Sequence, residues 1–299
     1  MLSDIAVGFD GFDNDPSGGN TMTASAEAVK IVTVVSCSNL RDEHRGHVAV
    51  SGSYGGKYNA YNAAKWPVRA VIMNDAGIGK GDAGIVGLPF LEQINMAAAT
   101  ADAWTCHIGD GEHILAHGVI SRVNGPAAAL GCKIGQSVRD CAELMRAAAP
   151  PTEMPPAITD GARYILRDTP GELALVCADS IGMIVPEDAG KIVVTASHGA
   201  LSGGRPDNAV APDVHACFFS DGGVGMDGAG IARLAPLDAR NIPAGAVSAD
   251  SAPIGDARAL YHDGILSHVN QAAQRAGAQP GMPLREFVDI LTAAAKCAS

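Results

Sequence analysis

Long apolar runs are absent: no stretch of about 18 apolar residues occurs anywhere, so no membrane-spanning helix is expected. Basic residues are few, with 21 Lys and Arg against 32 Asp and Glu, and no run of them occurs. A formal charge of −11 disfavours nucleic acid as a partner, because phosphate binding needs clustered cations. Aromatic residues make up only 4% of the chain, which points to close packing of small residues rather than aromatic anchoring. The seven cysteines are an odd number, scattered, and never spaced Cys-x-x-Cys; they do not form a disulfide framework. The opening Met-Leu-Ser-Asp-Ile-Ala-Val lacks the basic and long apolar regions of a signal peptide. A reducing, cytoplasmic setting is the expectation.

What is present is apolar residues at 47%, charged ones at 18%, and 36 glycines in 299 residues. This is the composition of a compact chain long enough for one large or two ordinary domains.

One stretch is written twice. Asp75-Ala-Gly77-Ile-Gly79-Lys-Gly81-Asp-Ala83-Gly84-Ile85 returns as Asp221-Gly-Gly223-Val-Gly225-Met-Asp-Gly228-Ala229-Gly230-Ile231, 146 residues later. Around it, His47-Val-Ala-Val-Ser-Gly-Ser53-Tyr54-Gly55 matches Lys191-Ile-Val-Val-Thr-Ala-Ser197-His198-Gly199 at an offset of 144. Ile108-Gly109-Asp110 returns as Ile254-Gly255-Asp256, and Ser121 and Asn124 return as Ser267 and Asn270, at 146. A constant offset through turns and helices implies homologous units of about 120 residues, too long for a solenoid repeat.

Strands are expected at Ile31–Ser36, His47–Val50, Val68–Asn74 and Met96–Ala101, with helices near Ala83–Gln93, Gly118–Leu130 and Ser137–Ala148. The alternation predicts an α/β fold: two tandem homologous units with mainly parallel sheets, related by a pseudo-two-fold. Residues 1–30, rich in Gly and Asp, read as an irregular N-terminal arm. Asp10, Asp13 and Asp15 lack the glycine and closing glutamate of a calcium loop. The first repeat then covers 31–148, a proline-broken connector 149–172, and the second repeat 173–299.

Asp75 and Asp221 each stand where an apolar strand meets a glycine turn, the edge at which open α/β sheets bind ligands. Gly77, Gly79, Gly223 and Gly225 would offer backbone amides to an anion. Gly223-x-Gly225-x-x-Gly228 matches a dinucleotide fingerprint, but the first copy breaks it with Asp82. Ser197 and His198 end a strong apolar strand and could supply a hydroxyl and an acid/base; Ser53 and Tyr54 stand opposite them. Cys37 and Cys106 have no matching cysteine in the other half and read as core. For Ser121, Asn124, Ser267 and Asn270, helix capping is the expectation.

The expected activity is hydrolysis of a small polar or anionic metabolite, at an amide or cyclic amide. His198 or Asp221 would act as general base with Ser197 and Asp75 in the catalytic set. Ser53, Tyr54, Gly77, Gly79, Asp110, Gly199, Gly223, Gly225 and Asp256 would bind substrate. Alternatives are a racemase, isomerase or lyase drawing acid and base from the two halves, and a non-catalytic small-molecule binder. The sequence requires no cofactor. It leaves room for a divalent metal on the aspartates, or on His113 and His117, and for homo-oligomerisation.

Overall fold

A computed structural model describes residues 28–158, 161–206 and 209–298. The expected arm and its three aspartates fall outside these, apart from residues 28–30. The elements are β1 (Ile31–Val34), β2 (Val48–Tyr54), α1 (Lys57–Lys65), β3 (Ala70–Asn74), α2 (Gly87–Glu92), β4 (Ala97–Ala101), α3 (Gly111–His117), β5 (Ile120–Val123), α4 (Gly125–Ala129) and α5 (Val138–Met145). After the proline-rich passage come β6 (Arg163–Arg167), β7 (Leu175–Ala178), β8 (Ile192–His198), β9 (Ala216–Ser220), α6 (Leu234–Ala239), β10 (Ala244–Val247), α7 (Ala257–Asp263), β11 (Leu266–Val269), α8 (Gln271–Arg275) and α9 (Leu284–Ala298).

The fold is α/β with two mostly parallel sheets. The first has order β1-β2-β3-β4-β5, the second β6-β7-β8-β9-β10-β11. In the first, β1 to β4 run parallel and β5 closes the edge antiparallel. In the second, β7 to β10 run parallel, with β11 antiparallel at one edge and β6 at the other. Ile31 pairs with Val48 and Leu175 with Ile192, the same register 144 residues apart.

Parallel strands of this kind are buried on both faces and so read as continuous apolar runs. Val48, Val50, Ala70 and Ile72 pack under Ile114, Val138, Cys141 and Met145. The alternate residues Ala49, Val71, Met73 and Ala98 pack under Ala60, Ala63, Leu88 and Leu91. In the second sheet Ile192, Val194 and Phe218 face Leu260, Phe287 and Val288, while Val193, Cys217 and Phe219 face Leu237 and Ile242.

The elements depart from those expected in places. The helix expected over 118–130 is a strand followed by a short helix: Ile120–Val123 pairs antiparallel with β4, and Asn124 then caps α4 by accepting from Ala127 N. Helix α1 was not expected, because its buried face is Asn59, Ala60, Ala63 and Ala64, too small and too polar to read as an apolar stripe. Among the described residues, no helix is long and apolar enough to cross a membrane.

Candidate functional site

The twin glycine turns lie at the junction of the halves, back to back. A β-carbon on Gly77 would sit 2.8 Å from the Cα of Gly223, and one on Gly223 would sit 2.7 Å from the Cα of Gly77. Reciprocal hydrogen bonds tie the turns to the opposite half: Lys80 N donates to Ala249 O at 2.8 Å, and Met226 N to Ala103 O at 2.8 Å. The turns are strained alike, with the β-branched Ile78 and Val224 both at positive φ, +66° and +61°.

These turns do not cradle an anion. Gly77 N donates to Asp75 Oδ1 at 2.9 Å and Gly223 N to Asp221 Oδ1 at 3.0 Å. Gly79 N and Gly225 N donate to the carbonyls of Gly77 and Gly223. The amides expected to hold an oxyanion are therefore spent within the turn. Asp75 and Asp221 are spent as well: each Oδ1 also accepts from the loop after the next strand, Ala103 N at 3.0 Å and Ala249 N at 2.9 Å. Both carboxylates are 4% exposed, and burial raises the pKa of Asp75 above the usual carboxylate value, with the Gly77 and Ala103 amides opposing. Asp110 and Asp256 cap α3 and α7, accepting from His113 N and Ala259 N. Gly199 is a backbone relay, its carbonyl accepting from Arg233 N at 2.8 Å.

The chemistry gathers elsewhere. A cavity of about 500 Å³ opens between the halves beside the ends of β1, β2, β7 and β8, and Ser53, Tyr54, Ser197 and His198 line it. Neighbouring residues on a strand normally face opposite ways. Here the pairing of β2 with β3 slips between Val50 and Tyr54, and that of β8 with β9 between Val194 and His198. The slip brings both members of each pair to the same wall. Neither the glycine turns nor Asp75, Asp221 or Asp256 line this cavity; Asp110 lines a smaller one, of about 230 Å³.

The serines are held in the same way on both sides. Ser53 Oγ accepts from Cys37 N at 3.0 Å, and Ser197 Oγ accepts from Ile181 N at 2.9 Å. A hydroxyl that accepts an amide keeps its own O–H to donate. Ser36 Oγ lies 3.2 Å from Ser53 Oγ, extending the hydroxyl cluster on the first-half wall. Each strand-end ring then reaches over a glycine of the opposite half. The Tyr54 hydroxyl packs on Gly255, where a β-carbon would lie 2.6 Å from it, and His198 Cε1 lies 3.6 Å from the corresponding point on Gly109.

His198 Nδ1 accepts from Ala200 N at 3.3 Å, which leaves the proton of the neutral ring on Nε2. Burial, with Arg233 adding repulsion, pushes its pKa down to about 3. At neutral pH this ring is therefore an uncharged donor, not the ready base expected from sequence. Burial foremost, with Asp179 adding, raises the Tyr54 phenol, so it too stays protonated.

Two lining residues escape a sequence reading that looks for shared polar positions. Among the described residues, Asp179 is the one carboxylate on the wall; its oxygens accept from Ala257 N at 2.9 Å and Ala162 N at 2.8 Å. Arg233 is the one guanidinium there among the described residues and is 2% exposed. At the offsets of 144 and 146 these stand opposite Val35 and Gly87, so matching the halves passes over both.

Comparison with protein-family models, curated proteins and solved structures finds no match to this chain. The site must be read from its own geometry.

Among the described residues, no group of three His, Cys, Asp or Glu side chains is placed to hold a metal ion. His113 stacks on His107 at a ring separation of 3.7 Å and meets His117 tilted at 4.5 Å. Cys37 is fully buried and its thiol is pushed up to about 11, so it is core rather than a nucleophile.

Proposed function

We propose that the chain is an enzyme that hydrolyses a small polar or anionic metabolite at an amide or cyclic amide carbonyl. The observation that carries this reading is the cavity at the junction, whose wall, among the described residues, combines several committed hydrogen-bond donors with a single carboxylate. Ser53 and Ser197 each donate from a hydroxyl already polarised by a backbone amide, and neutral His198 donates from Nε2. Such preorganised donors stabilise charge that develops on a carbonyl oxygen. Asp179 has a second lone pair on each oxygen and serves as the base for the attacking water. This revises the roles expected for Asp221 and Asp75, which become the supports of the junction.

The reading includes two homologous units over 31–148 and 173–299 that together form one composite site. Its support is the reciprocity of the junction, where the bonds of Lys80 and Met226 and the contacts of Gly77 and Gly223 exchange under the same offset. All seven cysteines are free thiols, six of them buried, which fits the proposed cytoplasmic setting.

Asp179→Asn and His198→Ala should each lower turnover about 10²–10⁴-fold against a panel of small amides and cyclic amides, without unfolding the protein. Near-normal turnover in both would defeat the assignment. A second reading, proton transfer in a racemase, isomerase or lyase, is favoured by Tyr54 and His198 occupying matched strand ends. Deuterium entering substrate from solvent without hydrolysis would select it.

A further inference from the structure

The guanidinium of Arg233 is buried without a counter-charge among the described residues. It is 2% exposed, yet no carboxylate lies within ion-pair distance among the described residues. Of its five N–H donors, one is assigned: Nη1 donates to His198 O at 2.7 Å. Nε is buried without a hydrogen-bond partner, and the face of Phe219 lies 5.7 Å from the guanidinium carbon. A buried charge without a counter-charge is strongly unfavourable, and natural folds pair it or use it.

Its surroundings show why the second half alone can hold it. The backbone at Gly87 and at Arg233 is fixed identically, each amide donating to the carbonyl of a glycine, Gly55 or Gly199. At Gly87 a β-carbon would meet Ala60 of α1 at 2.9 Å, so no side chain fits there. In the second half no α-helix lies between β8 and β9 among the described residues, and the arginine side chain occupies the wall.

We infer that Arg233 is the anion anchor of the cavity and that the ligand carries a carboxylate, paired with the guanidinium beside the Ser197 hydroxyl and the His198 ring. A planar carboxylate matches the fork: Nη1 keeps one N–H and Nη2 both, enough for two parallel bonds. The inference rests on the reading of this cavity as the ligand site and narrows its substrate to carboxylates. With a chain of net charge −11, attraction of such an anion must come from this local group rather than from the overall field.

The test is thermal melting and titration calorimetry of the full chain in sodium succinate, sodium acetate, sodium phosphate or sodium chloride at equal ionic strength. Wild type should gain melting temperature saturably in the carboxylates, over chloride and over phosphate. Arg233→Met should lose that gain entirely, and Arg233→Lys should bind succinate at least about tenfold more weakly. No carboxylate-specific gain in wild type overturns the inference, as does a gain that survives in Arg233→Met or that phosphate exceeds. If Arg233→Met does not fold, the wild-type and lysine results decide. Succinate binding without amide hydrolysis would leave the anchor standing and defeat the hydrolase reading; hydrolysis with no carboxylate binding would do the reverse.

Discussion

Gly77 and Gly223 meet Cα to backbone across the junction, both at positive φ, +71° and +74°. Nothing larger than hydrogen fits between them. Alanine at either position adds a clash with backbone to the cost of a left-handed conformation, and should destabilise the chain by about 3 kcal/mol. Gly81 is the control. Its φ is +64° but a β-carbon there meets nothing within 4 Å, so Gly81→Ala should cost only about 1 kcal/mol. Urea melts of the three variants check this, and equal losses would show that φ alone, not the contact, requires glycine.

Asp221 accepts from Gly223 N and Ala249 N through one oxygen. Asparagine keeps an acceptor there, so Asp221→Asn should stay folded and retain turnover within about threefold of wild type. Asp221→Ala strands one buried and one part-buried amide and should cost about 3 kcal/mol. A loss of activity in Asp221→Asn at full stability would instead restore the aspartate to catalysis.

That contrast shows what was legible in the sequence. The α/β alternation and the mostly parallel sheets follow from apolar runs and glycine spacing, because those patterns answer to burial and backbone angle. Comparing the halves residue by residue also selects positions where both copies need the same thing. Those are the supports: Asp75 and Asp221 closing turns, Asn124 and Asn270 capping helices and bonding strand ends. The proposed composite site needs different groups on its two walls. Its distinctive chemistry therefore sits where the halves disagree, at Tyr54 and His198, Val35 and Asp179, Gly87 and Arg233. Ser53 and Ser197 stand at shared positions, each bonding a backbone amide while lining the cavity.

The neutrality of His198 gives a pH prediction. Its native pKa of about 3 lies below the ordinary 6.5, so the unfolded chain binds the proton more tightly. The associated stability is complete above pH 6.5 and is lost as pH falls toward 3. His198→Gln has no such loss. The stability of wild type relative to this variant should therefore decline by a few kcal/mol between pH 6.5 and 3, read from urea melts at each pH. The imidazole proton resonances of His198 should show no titration between pH 5 and 8, and a midpoint near 6.5 would contradict its placement.

Tyr54 separates the two reactions. No hydrogen bond engages its hydroxyl among the described residues, which packs on the Cα of Gly255 at the cavity wall. Removing the oxygen strands no partner, so Tyr54→Phe should leave stability within about 0.5 kcal/mol of wild type. Its kinetic effect then depends on what the site does. In hydrolysis driven by Asp179 and the donors around Ser197 and His198, the phenol is one donor of several, and its loss should lower kcat by about tenfold at most. In proton transfer between the two strand ends it is half of an acid–base pair, and Tyr54→Phe should abolish solvent deuterium exchange into substrate along with turnover. Stopped-time assays of Tyr54→Phe in deuterium oxide, scored for both label and ring-opened product, decide between them. A stable Tyr54→Phe that still hydrolyses places the chemistry on the second-half wall, where the carboxylate, the imidazole and the guanidinium stand together.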